Sequence, residues 1–257
     1  MTMTVGGGPF GHAPAGEFNF EVPRRGVEYL EPLPRRIRAL VDGEAVADST
    51  AVMLLHKQHN QPAYCFPGAD VKLDALRDRG AFVYEDGLAV GLVGIPWEAV
   101  DTWLEEDEEV IGHARDPYHR IELRDTSRVV TVALDGATLA ESSNALALFE
   151  ASLPPRWYLP AEDVRAELVP LRELQTICSY KGIADYFDVR VGDRVEMALA
   201  WYYEEPARGM ERIKDRICFF NERVDLSLDG VLQERPVTAY SRLRWAEAQL
   251  KTARATS

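Results

Sequence analysis

Alternation of apolar and polar positions, interrupted by Asp-Gly pairs, runs through most of this chain. The pairs at 42–43, 86–87, 135–136 and 229–230 each lie between alternating or apolar runs. Asp-Gly accepts the positive φ angles of a two-residue turn, so each pair marks a β-hairpin. "FDVRVGDRVEMALAW" (187–201) reads as a further hairpin with Gly192–Asp193 at its turn. A helical period shows only at 97–109, where Trp97, Val100 and Leu104 would share a face, and at 209–217 and 241–251. The pattern predicts a mainly β protein: two small antiparallel domains with a few short helices, joined near 112–120.

The pattern also repeats. "IRALVDGEAVADSTAVMLLHKQHNQPAYCFPGADV" begins at Ile37, and "VTVALDGATLAESSNALALFEASLPPRWYLPAEDV" begins at Val130. They align without a gap at an offset of 93, with Asp42/Asp135, Gly43/Gly136, Ala47/Ala140, Ser49/Ser142, Leu55/Leu148, Pro62/Pro155, Pro67/Pro160, Asp70/Asp163 and Val71/Val164 identical. This is the mark of duplication. A later "VD" recurs at 100–101 and 224–225, an offset of 124, so the first copy lacks about 31 residues that the second has. We expect a disordered tail over 1–23, a degenerate repeat over 24–119, a complete repeat over 120–245 and a second tail over 246–257, with the active site in the complete copy.

Composition narrows the partners. A net charge of −13 argues against nucleic acid, which needs clustered Lys and Arg. The acidic run Glu105–Glu109 reads as a solvated face rather than a cation site or docking surface. No stretch approaches the ~20 apolar residues that cross a bilayer. "MTMTVGGGPFGHAPAG" has neither the basic start nor the apolar core of a secretion signal. Cys65, Cys178 and Cys218 are odd in number and form no CxxC, which speaks against a disulfide framework or a four-Cys zinc site. A cytoplasmic protein with reduced thiols is expected; a homodimer is left open.

The sharpest local feature is "CSYKG" (178–182). An ammonium three residues from a cysteine favours thiolate, the reactive form, and Gly182 permits a tight turn presenting Cys178 and Lys181 into a cleft. The competing reading is a buried, inert thiol. Aromatics crowd nearby, among them Trp157, Tyr158, Tyr180, Trp201 and Tyr203. They read either as ordinary β-core or as the wall of a small-molecule pocket with Glu150, Arg156 and Lys181 as polar fixtures. His56 and His59 have i, i+3 spacing, and His113, Asp116 and His119 cluster in "GHARDPYHR" (112–120), yet both stretches look turn-rich, so no metal site is expected. The 112–120 stretch reads as a rigid joint, or as a wall of the second copy's site through Tyr118 or His119.

The runs "FE…LPPRWYLPAEDV" (149–164), "CSYKGIADYF" (178–187), "AWYYEEP" (200–206), "FFNERVDLSLDG" (219–230) and "RPVTAYS" (235–241) resemble the DUF427 family, which also carries a nucleotidyltransferase-like label. The resemblance extends over about 24–241, and "WLEEDEEVIGHARDPYHRIE" (103–122) is similar to the link of its tandem members. It implies antiparallel folds of the β-tent (Mss4-like) kind. Family members usually read Cys-Pro-Tyr/Phe-Lys-Gly where this chain has Ser179, and TPWS-like where it has "TAYS"; the Cys, Lys and Gly are kept. The first copy has nothing like this motif. Asp188 and Asp193 flank a hairpin turn and make a poor Mg²⁺ pair, so the nucleotidyltransferase label finds little support.

Two functions are expected in competition. The first is a cytosolic enzyme acting on a small organic molecule, with Cys178 and Lys181 as its reactive pair and Glu150, Arg156, Tyr158, Tyr180, Trp201, Tyr203, Tyr118 and His119 around the substrate, needing no cofactor. The second is a non-catalytic binding module in which the same aromatics cage a ligand and Cys178 is structural. An acidic interaction protein is the least favoured idea.

Overall fold

The structure is a computed structural model describing residues 3–23, 25–151 and 153–256, with side chains of the last helix as far as Leu250. The chain divides into two compact units that meet between Arg120 and Ile121. It is mainly β, with several small antiparallel sheets and two short helices.

The first unit holds β1 (Glu28–Pro32), β2 (Ile37–Val41), β3 (Glu44–Ser49), β4 (Met53–Lys57), β5 (Ala63–Phe66), α1 (Leu73–Leu76), β6 (Phe82–Val83), β7 (Val93–Gly94), β8 (Thr102–Glu105) and β9 (Glu108–Glu109). They form one sheet in the order β1-β4-β5-β7-β6 and a second in the order β3-β2-β8-β9. Ile37 and Ala39 of the second sheet, and Leu54, Tyr64 and Phe66 of the first, meet in a core that Trp103 completes. Residues 3–13, a Gly-rich stretch, make consecutive tight turns; the carbonyls of Thr4 and Phe10 accept from His59 N and Gln58 Nε2, each at 2.8 Å.

The second unit holds β10 (Ile121–Asp125), β11 (Val130–Leu134), β12 (Ala137–Ser142), β13 (Leu146–Glu150), β14 (Arg156–Pro160), β15 (Glu167–Cys178), β16 (Gly182–Val191), β17 (Arg194–Tyr202), β18 (Arg216–Phe219), β19 (Asp225–Leu228), β20 (Val231–Leu232) and α2 (Arg244–Thr256). Its sheets run β10-β13-β14-β18-β17-β16-β15 and β12-β11-β19-β20. The larger sheet has an apolar surface on each side. Leu159, Val189, Leu199 and Phe219 pack toward the smaller sheet. Leu148, Tyr158, Tyr186, Trp201 and Cys218 face the other way, under Tyr240, Trp245 and Ala246.

The duplication holds strand by strand. Glu28 faces Lys57 across β1 and β4, as Ile121 faces Glu150 across β10 and β13, both at the offset of 93. Even the β-bulge recurs, between Ala39 and Leu40 and between Val132 and Ala133. Ile37 pairs with Glu105 and Val130 with Leu228, which sets the late offset at 123, one less than the "VD" pairs suggest. The missing material is now defined: the first unit has no counterpart of β15 and β16.

Asp42, Asp135 and Asp229 have φ of 49°, 50° and 54°, each followed by a positive-φ glycine, as hairpin turns require. Gly192 likewise turns β16 into β17. Asp86–Gly87 differs, lying inside the longer loop between β6 and β7. The expected helix over 97–109 is absent. Trp97–Ala99 makes a single 3-10 turn after Pro96, and Thr102–Glu105 is a strand of alternating burial. Trp97, Val100 and Leu104 do not share a helical face, because the chain extends at Val100 and Asp101 N bonds Leu40 O at 2.9 Å. The 209–217 helix is likewise reduced to a 3-10 turn, Glu211–Ile213, before β18. Only the C-terminal helix is realised.

Trp103 stacks on Trp97 with centroids 5.1 Å apart and donates from Nε1 to Trp97 O at 3.0 Å. Trp103→Ala is expected to cost about 3–5 kcal/mol, read as a lower urea midpoint with an unchanged denaturant slope.

Candidate functional site

β15 and β16 are joined by Ser179–Lys181, with Cys178 and Gly182 as the closing pair. Lys181 N donates to Cys178 O at 3.3 Å. Gly182 has φ +105°, and a Cβ there would lie 3.1 Å from both Ala207 N and Glu205 O. The returning 205–207 segment packs this closely because Ala207 N bonds Lys181 O at 2.8 Å. Glycine is thus required twice over, by conformation and by space. The turn buries Lys181 and Ser179 and leaves Cys178 half-buried.

Lys181 Nζ donates to a carboxylate oxygen of Glu150, which is also buried. Burial works against the ammonium, but Glu150 and the adjoining Cys178 outweigh it and hold Lys181 above its ordinary value of 10.5. Tyr203 lies close by, its phenol pushed well up by burial. Burial likewise raises Tyr186, whose hydroxyl shares a 2.7 Å hydrogen bond with Thr176. Tyr158 is fully buried and accepts from Trp201 Nε1 at 3.1 Å.

A second buried cation lies on the same face. Arg156 donates to both oxygens of Glu222, at 2.6 and 2.7 Å, and to Asn221 Oδ1. Its guanidinium lies 5.4 Å from the Trp201 ring centroid, 5.7 Å from Phe220 and 6.0 Å from Tyr240. Thr238 Oγ1 donates to Glu222 at 2.6 Å, tying the C-terminal segment to the pair. Burial opposes the Glu222 charge, but the bonds from Arg156 and Thr238 prevail and hold it below its ordinary 4.5.

Glu150, Arg156, Tyr158, Trp201, Tyr203, Cys178 and Lys181 therefore belong to one side of the seven-stranded sheet or to its hairpin, and Tyr180 sits in the turn itself. Tyr118 and His119 belong to the first unit. Tyr118 donates from its hydroxyl to Glu31 at 2.9 Å, and its ring packs against Tyr29 and His56. His56 Nε2 also pairs with Glu31, at 2.9 Å. His56 lies within β4 and His59 sits in the turn after it with φ +70°, so their i, i+3 spacing does not make a helical face. Burial is the main reason His113 falls below its ordinary value. Among the described residues no three His, Cys, Asp or Glu gather as metal ligands would.

Residue-type reasoning missed Glu222, Asn221, Thr238, Phe220, Tyr240 and Trp245. One signal was available: a buried arginine requires a carboxylate, and "FFNERV" carries one amid apolar residues. Asp188, weighed as a metal ligand, instead accepts from Ala198 N at 2.8 Å, where Ala198 has φ +46°. Here β17 spends four residue steps, Glu196 to Ala200, against two of β16, and Arg223 bonds the carbonyls of Met197 and Ala198. Asp188 is a clamp on a bulge.

A family model for a domain of unknown function, DUF427, matches residues 29–83 and 122–230, together more than half of the chain. The chain belongs to that family. The DUF427 match breaks between 83 and 122, in the copy that lacks two strands. Its second segment spans the whole Cys178–Gly182 hairpin and Glu222, but stops before Thr238. No curated protein matches the chain.

Arg156→Met alone strands the Glu222 charge and is expected to cost about 3–5 kcal/mol, whereas Arg156→Met with Glu222→Leu recovers most of the loss; paired urea titrations measure both. The raised Lys181 stabilises fully below its unfolded value of 10.5 and loses that stabilisation as pH rises through the higher folded value. Glu222 is the opposite case: its stabilisation is present above 4.5 and lost as pH falls through the lower folded value. Thermal midpoints against pH should fall at both ends, and Lys181→Met combined with Glu150→Gln should make the alkaline fall shallower while keeping the acid one.

Proposed function

We propose that the second unit of this DUF427 protein is a thiol-dependent enzyme acting on a small organic molecule, with Cys178 as its reacting group. The observation that carries this is the difference among the three thiols. Burial pushes Cys65 up to about 11 and Cys218 up to about 12, which keeps both protonated and inert. Cys178 is the half-buried one, at a turn, with the Lys181 ammonium beside it. Lys181 supports negative charge at that sulfur, or on an anionic group of the substrate, while Glu150 fixes the ammonium in place. Tyr158, Tyr180, Trp201 and Tyr203 supply apolar area and hydrogen bonds around the reacting atoms. A reducing, cytoplasmic setting suits this chemistry.

One observation favours the alternative, a non-catalytic binding module. Both buried cations already have full carboxylate partners, as structural charges do. Labelling separates the readings. Brief iodoacetamide treatment of the native protein, mapped by mass spectrometry, should modify Cys178 well ahead of Cys65 and Cys218. Lys181→Met with Glu150→Gln should slow that labelling about tenfold or more. Equal labelling of the three thiols, or a rate indifferent to Lys181, would leave the binding module as the better reading.

A further inference from the structure

The first unit carries a cavity of about 700 Å³ bounded by β4, the turn into β5, β6 and the start of the β6–β7 loop. Its place in the sheet is informative. At the offset of 93, Leu55 corresponds to Leu148, Lys57 to Glu150 and Ala63 to Arg156. Phe82 faces Gly94 across β6 and β7 as Trp201 faces Cys218 across β17 and β18, so Phe82 stands where Trp201 does and Tyr84 where Tyr203 does. The cavity thus lies on the face that holds Glu150, Arg156 and Trp201 in the second unit. There the buried Arg156 fills the face; in the first unit Ala63 leaves that volume open.

The walls are tied down. Glu28 pairs with Lys57 at 3.1 Å and accepts from Leu88 N at 3.2 Å, holding the 86–88 turn. Tyr84 is fixed by backbone bonds to Leu92 and Gly91, both 2.9 Å. Lys57 Nζ lies 5.3 Å over the Tyr84 ring. An ammonium has three donors, so Glu28 leaves Lys57 able to bind a further anion. Two carboxylates, Glu85 and Asp86, stand on the same lining. The lining therefore offers one cation with two neighbouring amides, two anions, and an apolar floor of Leu55, Ala63, Phe82 and Tyr84.

We propose that this cavity is a second ligand site, one that takes a zwitterion with an apolar body: an amino acid or short peptide. Its carboxylate meets Lys57 and the Asn60 and Gln61 amides, its ammonium meets Glu85 and Asp86, and its side chains cover Leu55, Ala63 and Tyr84. A singly charged ligand would satisfy one set and meet repulsion from the other. The volume falls in the usual range of about 300–1,000 Å³ for small-molecule sites. The site is independent of Cys178 and of any reaction there.

The test is a titration of the full chain with phenylalanyl-leucine, its N-acetyl derivative and its C-terminal amide, followed by amide chemical shifts. The free dipeptide should give saturable shifts at residues 55–63 and 82–86, and either blocked form should bind about fivefold or more weakly, as loss of one charge-assisted bond implies. Lys57→Met should weaken the dipeptide to the level of its amide, while Lys57→Arg, which keeps the charge, should retain most of the binding and controls for folding. No saturable shift, shifts outside the cavity, a blocked form binding as tightly as the free one, or unchanged binding in Lys57→Met would each overturn the proposal.

Discussion

A buried cation must keep a carboxylate, and most of the second unit is organised by two instances of that constraint. Arg156 and Lys181 stand on one side of the seven-stranded sheet, each out of water and each paired to a glutamate. Removing two charges from water costs several kcal/mol per ion, and only good geometry returns it. The geometry here draws on distant parts of the chain: Glu222 follows β18, Thr238 comes from the C-terminal segment, and Glu150 ends β13. The pairs fix where the hairpin, the strand ends and the closing segment dock. The Lys181 pair also places an ammonium beside Cys178.

The two halves of the molecule show what that constraint demands when it is lifted. The first unit keeps the register of its first five strands and the bulge of the second, yet Lys57 replaces Glu150 and Ala63 replaces Arg156. With no buried guanidinium to pair, Glu98, which the 124-residue offset aligns with Glu222, stands exposed. A position that held an anion facing a buried cation now holds a cation paired to the neighbouring strand's Glu28. One scaffold has thus come to carry opposite charge at the same place in its ladder.

Much of this fold was legible because turns and alternation are local. Asp42–Gly43, Asp135–Gly136 and Asp229–Gly230 encode their hairpins in two residues, and the 93-residue offset encodes strand pairing in both copies. Asp86–Gly87 misled because the same dipeptide also serves a longer loop, here clamped by Glu28 from far away in sequence. The 97–109 stretch misled because Trp97, Val100 and Leu104 fit a helical period while Thr102–Glu105 also fits a strand, and pairing with β2 decides between them. For the site, Cys178, Lys181 and Gly182 were readable as a turn motif, and Glu150 and Arg156 as polar residues in an apolar context. Their carboxylate partners were not all readable, since Glu222 meets Arg156 only through a contact 66 residues apart. Tyr118 carries no sequence sign that its hydroxyl is engaged by Glu31.

β15 and β16 occupy the outer margin of their sheet, beyond β17, and that placement governs how such a protein can change. A strand taken from the middle of a sheet would leave two ladders of amides and carbonyls to find new partners in a new register. A marginal hairpin brings its own internal ladder and shares a single strand-to-strand ladder with its sheet, so it can be shed or acquired in one event. Its other ties here are those of the Lys181 turn and of the C-terminal helix. The line of that shared ladder then becomes the new border, and the strands inside it keep every pairing they had. Tandem copies of such a fold can therefore diverge by trimming at the rim, where one insertion or deletion carries the whole Cys178–Gly182 turn with it.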